Sequence, residues 1–130
     1  AHPVFVSTKT DLAIIKVDVE TFAIDFSDEV PEIGSETCLL SNSFGLGLGI
    51  TCGVVSAIGR KNIGFNRTED FIQTDAASNP GSSGGALVNM DGFLIGMMSG
   101  IFTKNTDTNA GVNFAVSGSL IQKTIVDFSN

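Results

Sequence analysis

Apolar positions in this chain come in short bursts of four to eight, separated by polar and glycine-rich breaks, and only the last segment follows helical spacing. Leu12-Ala13-Ile14-Ile15-Lys16-Val17, rich in branched apolar residues and following Thr10-Asp11, predicts a short buried strand. Residues 1–6 read as the strand entering the turn before Asp11. A polar, acidic stretch runs to about Gly34. Beyond it, strands are expected at 36–42, 50–58, 70–74, 86–89, 93–99 and 111–116, with a glycine-rich turn at 43–49 and a polar loop at 59–69. Residues 75–83 are irregular, broken by Asn79-Pro80-Gly81, and 103–109 are loop-like. Asp91-Gly92 between two apolar runs is a hairpin signal, because both residues tolerate positive φ.

The end of the chain differs. Ser119 with Gln122 resembles a capping box, and Ile121, Ile125 and Phe128 fall on one face, so a helix is expected over 118–127. Six short strands in hairpin order closed by one helix predict an all-β domain, an antiparallel six-stranded β-barrel with a carboxyl-terminal helix. Residues 12–17 stand outside that set, as though they belonged to a preceding lobe.

Composition sharpens this picture. Fifteen glycines and ten phenylalanines, with no Trp or Tyr, suit a turn-rich β protein. At 42% hydrophobic and 16% charged, the chain can build a globular core. A net charge of −7 disfavours nucleic acid as a partner. Seven of the fourteen acids lie between Asp18 and Glu36, which reads as a solvated connector rather than a metal site. No apolar run is long enough to span a bilayer. No signal-peptide pattern opens the chain, and Ala1 is a poor natural start, so a piece of a longer polypeptide is expected. Cys38 and Cys52 sit in apolar strand-like segments, where a buried inert thiol is the default; a cross-strand disulfide stays open.

The segment that carries chemistry is Gly81-Ser82-Ser83-Gly84-Gly85. A serine among glycines on a tight turn exposes its hydroxyl and frees backbone N–H groups for the charge that develops in acyl transfer. The same residues fit the Gly-x-Ser-x-Gly elbow of α/β-hydrolases, but that motif needs a following helix and a later histidine. Here a strand, a turn and a strand follow, and no histidine does. An order of His, Asp, Ser fits an aspartate that precedes the serine.

Residues 71–100, running from Phe71-Ile72-Gln73-Thr74-Asp75 through the Ser83 motif to Ser99-Gly100, closely resemble the nucleophile region of HtrA/Deg serine proteases, which have the chymotrypsin fold. The resemblance extends to Thr10-Asp11-Leu12-Ala13-Ile14-Ile15-Lys16-Val17, to Ser43-Phe44-Gly45, to Gly53-Val54-Val55-Ser56-Ala57-Ile58-Gly59-Arg60 and to Phe114-Ala115-Val116. It implies that residues 1–17 end an amino-terminal barrel carrying the catalytic Asp, 18–34 connect the barrels, 35–116 form the second barrel and 117–130 the terminal helix. It implies Ser83 as nucleophile, Asp11 as the orienting acid, and the N–H groups of Gly81 and Ser83 as the oxyanion hole. Asn79-Pro80-Gly81 would be the stretch that switches that hole, and 59–69, 79–82 and 100–109 the regulatory and specificity loops. Ser78, Ser99, Gly100, Ile101, Gly111 and Asn113 would line the primary specificity pocket. Its base near Ala77 and Ser78 carries no acid, so small or medium aliphatic side chains are expected there. Two residues depart from the family pattern, Ser82 where Asn is frequent and Ala86 where Pro is frequent, and both should be tolerated.

The only histidine, His2, is separated from Asp11 by only eight residues, too few for a fold that puts several strands between them, and reads as an ordinary strand residue. Without a histidine Ser83 lacks a general base, so the chain alone should be inactive and should expose Leu12, Ile14 and Ile15. The resemblance implies a parent that is a serine endopeptidase of unfolded or misfolded proteins in an extracytoplasmic compartment, with room for a homotrimer and a downstream peptide-binding domain. The alternative is a non-catalytic pseudoprotease serving as a scaffold, against which the retention of both Ser83 and Asp11 counts. No cofactor or metal is implied. Gly45-Leu46-Gly47-Leu48-Gly49 lacks the lysine and helix of a phosphate loop, and Asp75 is assigned a structural role.

Overall fold

The hairpin signals become antiparallel ladders. The computed structural model describes residues 1–64, 66–99 and 111–129. Its strands are β1 His2–Ser7, β2 Leu12–Lys16, β3 Glu36–Ser41, β4 Gly49–Arg60, β5 Phe71–Thr74, β6 Ala86–Asn89, β7 Leu94–Met98 and β8 Asn113–Ser117, followed by helix α1 Gly118–Ser129. Strands β3 to β8 close into a barrel in the order β3-β4-β5-β8-β7-β6, every neighbouring pair antiparallel. Closure leaves no free sheet edge in the barrel. The expected six-stranded barrel with a terminal helix is the fold observed.

Strand β4 is longer than its apolar run suggested. Register shifts between Val55 and Ala57, and again between Ala57 and Arg60, let it bend around a narrow barrel. Leu39, Val55, Ile72, Ala76, Leu87, Ile95, Met98 and Ala115 fill the interior. A second cluster of Phe71, Phe114, Val116 and Leu120 seals one flank, with the Phe71 and Phe114 rings 5.7 Å apart. The acidic connector is mostly exposed but clings to the barrel at two places. Leu94 N–H donates to Asp25 O and Ser27 N–H to Leu94 O, and Gly34 N–H donates to Val55 O.

Strands β1 and β2 form their own two-stranded sheet. Here one expectation is corrected: Leu12 is buried in the second cluster, against Phe71, Phe114 and Leu120, because β2 turns that side toward this barrel. Ile14 is half-buried on the same side, and only Ile15, 58% exposed, matches the expectation.

The cap of α1 is a second correction. Ser117, not Ser119, caps it: Ser117 Oγ accepts from Leu120 N–H at 3.2 Å and donates to Asp70 Oδ2 at 2.7 Å. The buried stripe of α1 is Leu120 and Thr124 with Ile121 beside it; Ile125 and Phe128 are exposed, the Phe128 ring lying 5.4 Å from that of Phe5. The default reading of the cysteines is also replaced. Cys38 and Cys52 face each other across β3 and β4 and are joined as a disulfide.

Candidate active site

The segment before Ser83 is pinned residue by residue to the barrel rim. Asp75 Oδ1 accepts from Val54 N–H at 2.7 Å, consistent with a structural role. Asn113 Nδ2 donates to Ala76 O at 3.0 Å and Thr51 Oγ1 to Ala77 O at 2.7 Å. After Ser83 the chain joins β6 and β7 directly, with Gly84 N–H donating to Met98 O and Met98 N–H to Gly85 O. Strand β6, not a helix, comes directly after the serine, which removes the hydrolase-elbow alternative.

Ser83 is exposed, and its hydroxyl donates to Ser99 O at 3.4 Å. Ser99 in turn donates from Oγ to Asp11 Oδ2 at 3.3 Å, while its N–H is held by Phe114 O. One residue therefore touches both Ser83 and Asp11, which are far apart in sequence. Asp11 sits on the β1–β2 turn with φ of 59°, a left-handed conformation that Asp tolerates better than most residues. Sequence reading placed Ser99 in the substrate pocket and missed its bond to Asp11. Nothing in the local pattern carried that signal, since it spans 88 residues.

The backbone around Ser83 is oriented by carbonyls. Pro80 O accepts from Phe44 N–H at 2.7 Å, and Ser82 O accepts from Gly85 N–H at 2.9 Å. A trans peptide points its N–H opposite to its C=O. The N–H groups of Gly81 and Ser83 are thus turned away from those contacts, and neither has a hydrogen-bond partner among the described residues. Gly81 has φ of +96°, and a Cβ there would drive into Asn42 O, so no other residue fits this approach.

Of the expected pocket residues, Ser78, Ser99 and Asn113 are buried near this rim, and Gly111 takes φ of 75°. Ser78 Oγ is buried and has no partner among the described residues. Gly100 and Ile101, with the loop expected over 100–109, lie outside the described residues. His2 pairs with Lys16 at the far end of the β1–β2 ladder, five residues from Ser7. At about 3.3 Å per residue that is about 17 Å along the strand, so His2 is remote from the turn that carries Asp11. Among the described residues no group of three His, Cys, Asp or Glu is placed to hold a metal, and no helix is long and apolar enough to cross a membrane. A cavity of about 380 Å³, lined by Ser27, Asp70, Leu94 and Ser117 among others, opens at the opposite rim and shares no residue with the Ser83 cluster.

Known proteins resemble this chain in sequence and fold. The trypsin-like peptidase domain matches residues 1–97. The chain is 42% identical over 122 residues to the "Probable periplasmic serine endoprotease DegP-like" of Chlamydia muridarum, covering 92% of this chain and 24% of that protein. It is 39% identical over 117 residues to the periplasmic serine endoprotease DegP of Escherichia coli K12, covering 88% of this chain and again 24% of the relative. The solved structure of the HtrA-type protease AlgW with a decapeptide superposes with a TM-score of 0.91 at 39% identity, over 98% of this chain and 39% of that one. The chain thus spans about a quarter of the length of the curated relatives it matches.

Proposed function

The chain belongs to the trypsin-like peptidase family, and from that premise we propose that it is the second lobe of a serine endopeptidase whose first lobe supplies the histidine. Ser83 is then the nucleophile and Asp11 the acid that orients the missing imidazole and stabilises its protonated form. The observation that carries this reading is the Ser83–Ser99–Asp11 contact, which gathers hydroxyl and carboxylate at one rim beside two unpartnered backbone donors.

The reaction follows from these positions. An imidazole between Asp11 and Ser83 takes the hydroxyl proton as Ser83 Oγ attacks the scissile carbonyl carbon. The carbonyl oxygen becomes an oxyanion within reach of Gly81 and Ser83 N–H, and the imidazolium then protonates the leaving amine. Water repeats the sequence in reverse to free the acyl group from Ser83.

The substrate class proposed is peptide and unfolded protein, supported by the peptide-bound AlgW structure among its neighbours. An uncharged aliphatic side chain suits a pocket where Ser78 is buried and the nearby Asp75 is engaged with Val54 N–H. An extracytoplasmic location is supported by the periplasmic relatives and by the Cys38–Cys52 disulfide, which persists in oxidising compartments. A trimeric parent and a downstream peptide-binding domain belong to the same proposal.

Fluorophosphonate labelling of the full-length parent tests it. The wild type should be labelled at Ser83 and the Ser83→Ala variant not, with this chain alone labelled slowly or not at all. A folded parent that stays unlabelled would favour a scaffold role for the shell.

A further inference from the structure

Resting on the acyl-transfer reading, we propose that the Ser41, Ser43 and Ser82 hydroxyls are positioning residues that hold the Gly81 and Ser83 donors in their working orientation. Ser82 lies between those two donors in sequence and is fully buried. Its Oγ accepts from Ser41 Oγ at 3.2 Å and from Asn79 N–H at 3.1 Å. A hydroxyl has two acceptor sites and one proton, so Ser82 must spend its proton on Ser43 Oγ, 2.9 Å away. Ser41 has already donated to Ser82, which leaves Ser43 as the donor in the 3.5 Å contact between Ser43 and Ser41. The three hydroxyls form a closed ring in which each donates once.

The ring joins two segments that are distant in the chain. On one side is the tip of the β3–β4 hairpin, tied below by Cys38–Cys52. On the other is the 79–82 loop. The same two segments meet in the Phe44 N–H to Pro80 O bond. Phe44 takes a left-handed conformation, φ 57° and ψ 16°, that is costly for a bulky side chain, and the residue stays 57% exposed there. The strain is offset by the contact that the backbone makes. If the Pro80–Gly81 peptide inverted, its carbonyl would lose Phe44 and point where the Gly81 N–H now points. The hydroxyl ring fixes the next residue along and so opposes that inversion. Apolar packing could fill the same space, but only directional bonds specify which way a peptide faces.

The test uses the full-length parent, with kcat, KM and inhibition by a peptide boronate that forms a tetrahedral adduct on Ser83. Ser82→Ala should lower kcat on the order of tenfold to a hundredfold, less than the loss of an oxyanion donor itself. Boronate inhibition should weaken by a similar factor, with KM within twofold. Ser43→Ala, at a half-buried position, should change the same two quantities in the same direction while the thermal midpoint stays put, and it decides the matter if Ser82→Ala does not fold. The double variant should be no worse than Ser82→Ala, because one broken ring cannot be broken twice. Either folded variant keeping kcat and boronate affinity within twofold of wild type, or changing KM alone, overturns the proposal. A wild-type parent that neither cleaves peptide nor reacts with a fluorophosphonate sinks the peptidase reading, and this proposal with it. An active wild type with indifferent variants sinks only the hydroxyl ring.

Discussion

Gly81 shows how tightly one residue can be specified. Its positive φ and its approach to Asn42 O each exclude a side chain, so Gly81→Ala must move either the loop or the hairpin tip. Because the Gly81 N–H is one of the two proposed oxyanion donors, the expected loss in kcat in the parent is about a hundredfold or more. Steady-state kinetics on a peptide amide would check it, and a Gly81→Ala enzyme within threefold of wild type would remove Gly81 from the oxyanion hole. Ser99 makes the complementary point. It is buried and uses three groups on three partners: Oγ on Asp11, the carbonyl for Ser83, and N–H on Phe114 O. Such a residue is legible only once its partners are in place.

Among the elements, the β3–β4 hairpin bears the most consequence. Its strands pair over six residues with Cys38 opposite Cys52, and its tip meets the loop that precedes Ser83. The disulfide closes a segment with a sequence separation of 14, for which chain entropy gives about 3 kcal/mol of stabilisation. Replacing both cysteines by serine should therefore lower the urea-unfolding free energy of this lobe in the parent by about that amount. An unchanged unfolding midpoint with and without reductant would show the bond to be dispensable. The start of α1 illustrates how one element depends on another. Ser117 ends β8, caps the helix and bonds Asp70 just before β5, so strand pairing and helix start are fixed at one residue.

For the molecule as a whole, the β1–β2 sheet has two unlike faces. Leu12, Ile14 and Phe5 turn toward the barrel and α1, whereas Val4, Val6 and Ile15 are exposed. In the proposed parent that outer face lies under the first lobe. The chain expressed by itself should then associate with rising concentration, and Val6→Lys with Ile15→Lys should suppress this in sedimentation velocity. In the parent the same pair should cost stability, about 1.5–3 kcal/mol for each apolar side chain no longer buried. A monodisperse chain at every concentration, together with an unaffected parent, would mean that this face covers nothing.

The sequence by itself determined what local pattern controls. Short apolar runs, the Asp91-Gly92 turn and a terminal run at helical spacing yielded the six barrel strands and the helix, because strand and helix formation depend on neighbours a few residues away. The Ser83 motif was legible for the same reason, as its glycines and serines are contiguous. Tertiary structure alone decided the rest. Whether Cys38 meets Cys52 depends on the β3–β4 register, and whether Ser117 or Ser119 caps α1 depends on Asp70. Leu12 is buried because β2 turns it onto Phe71 and Phe114. The Ser99–Asp11 bond and the bonds that tie Ser82 to Ser41 and Ser43 join residues 39 to 88 positions apart. Periodicity along a chain reports which face of an element is apolar. It carries no record of which distant side chain that face will meet, since that is fixed only when the barrel closes.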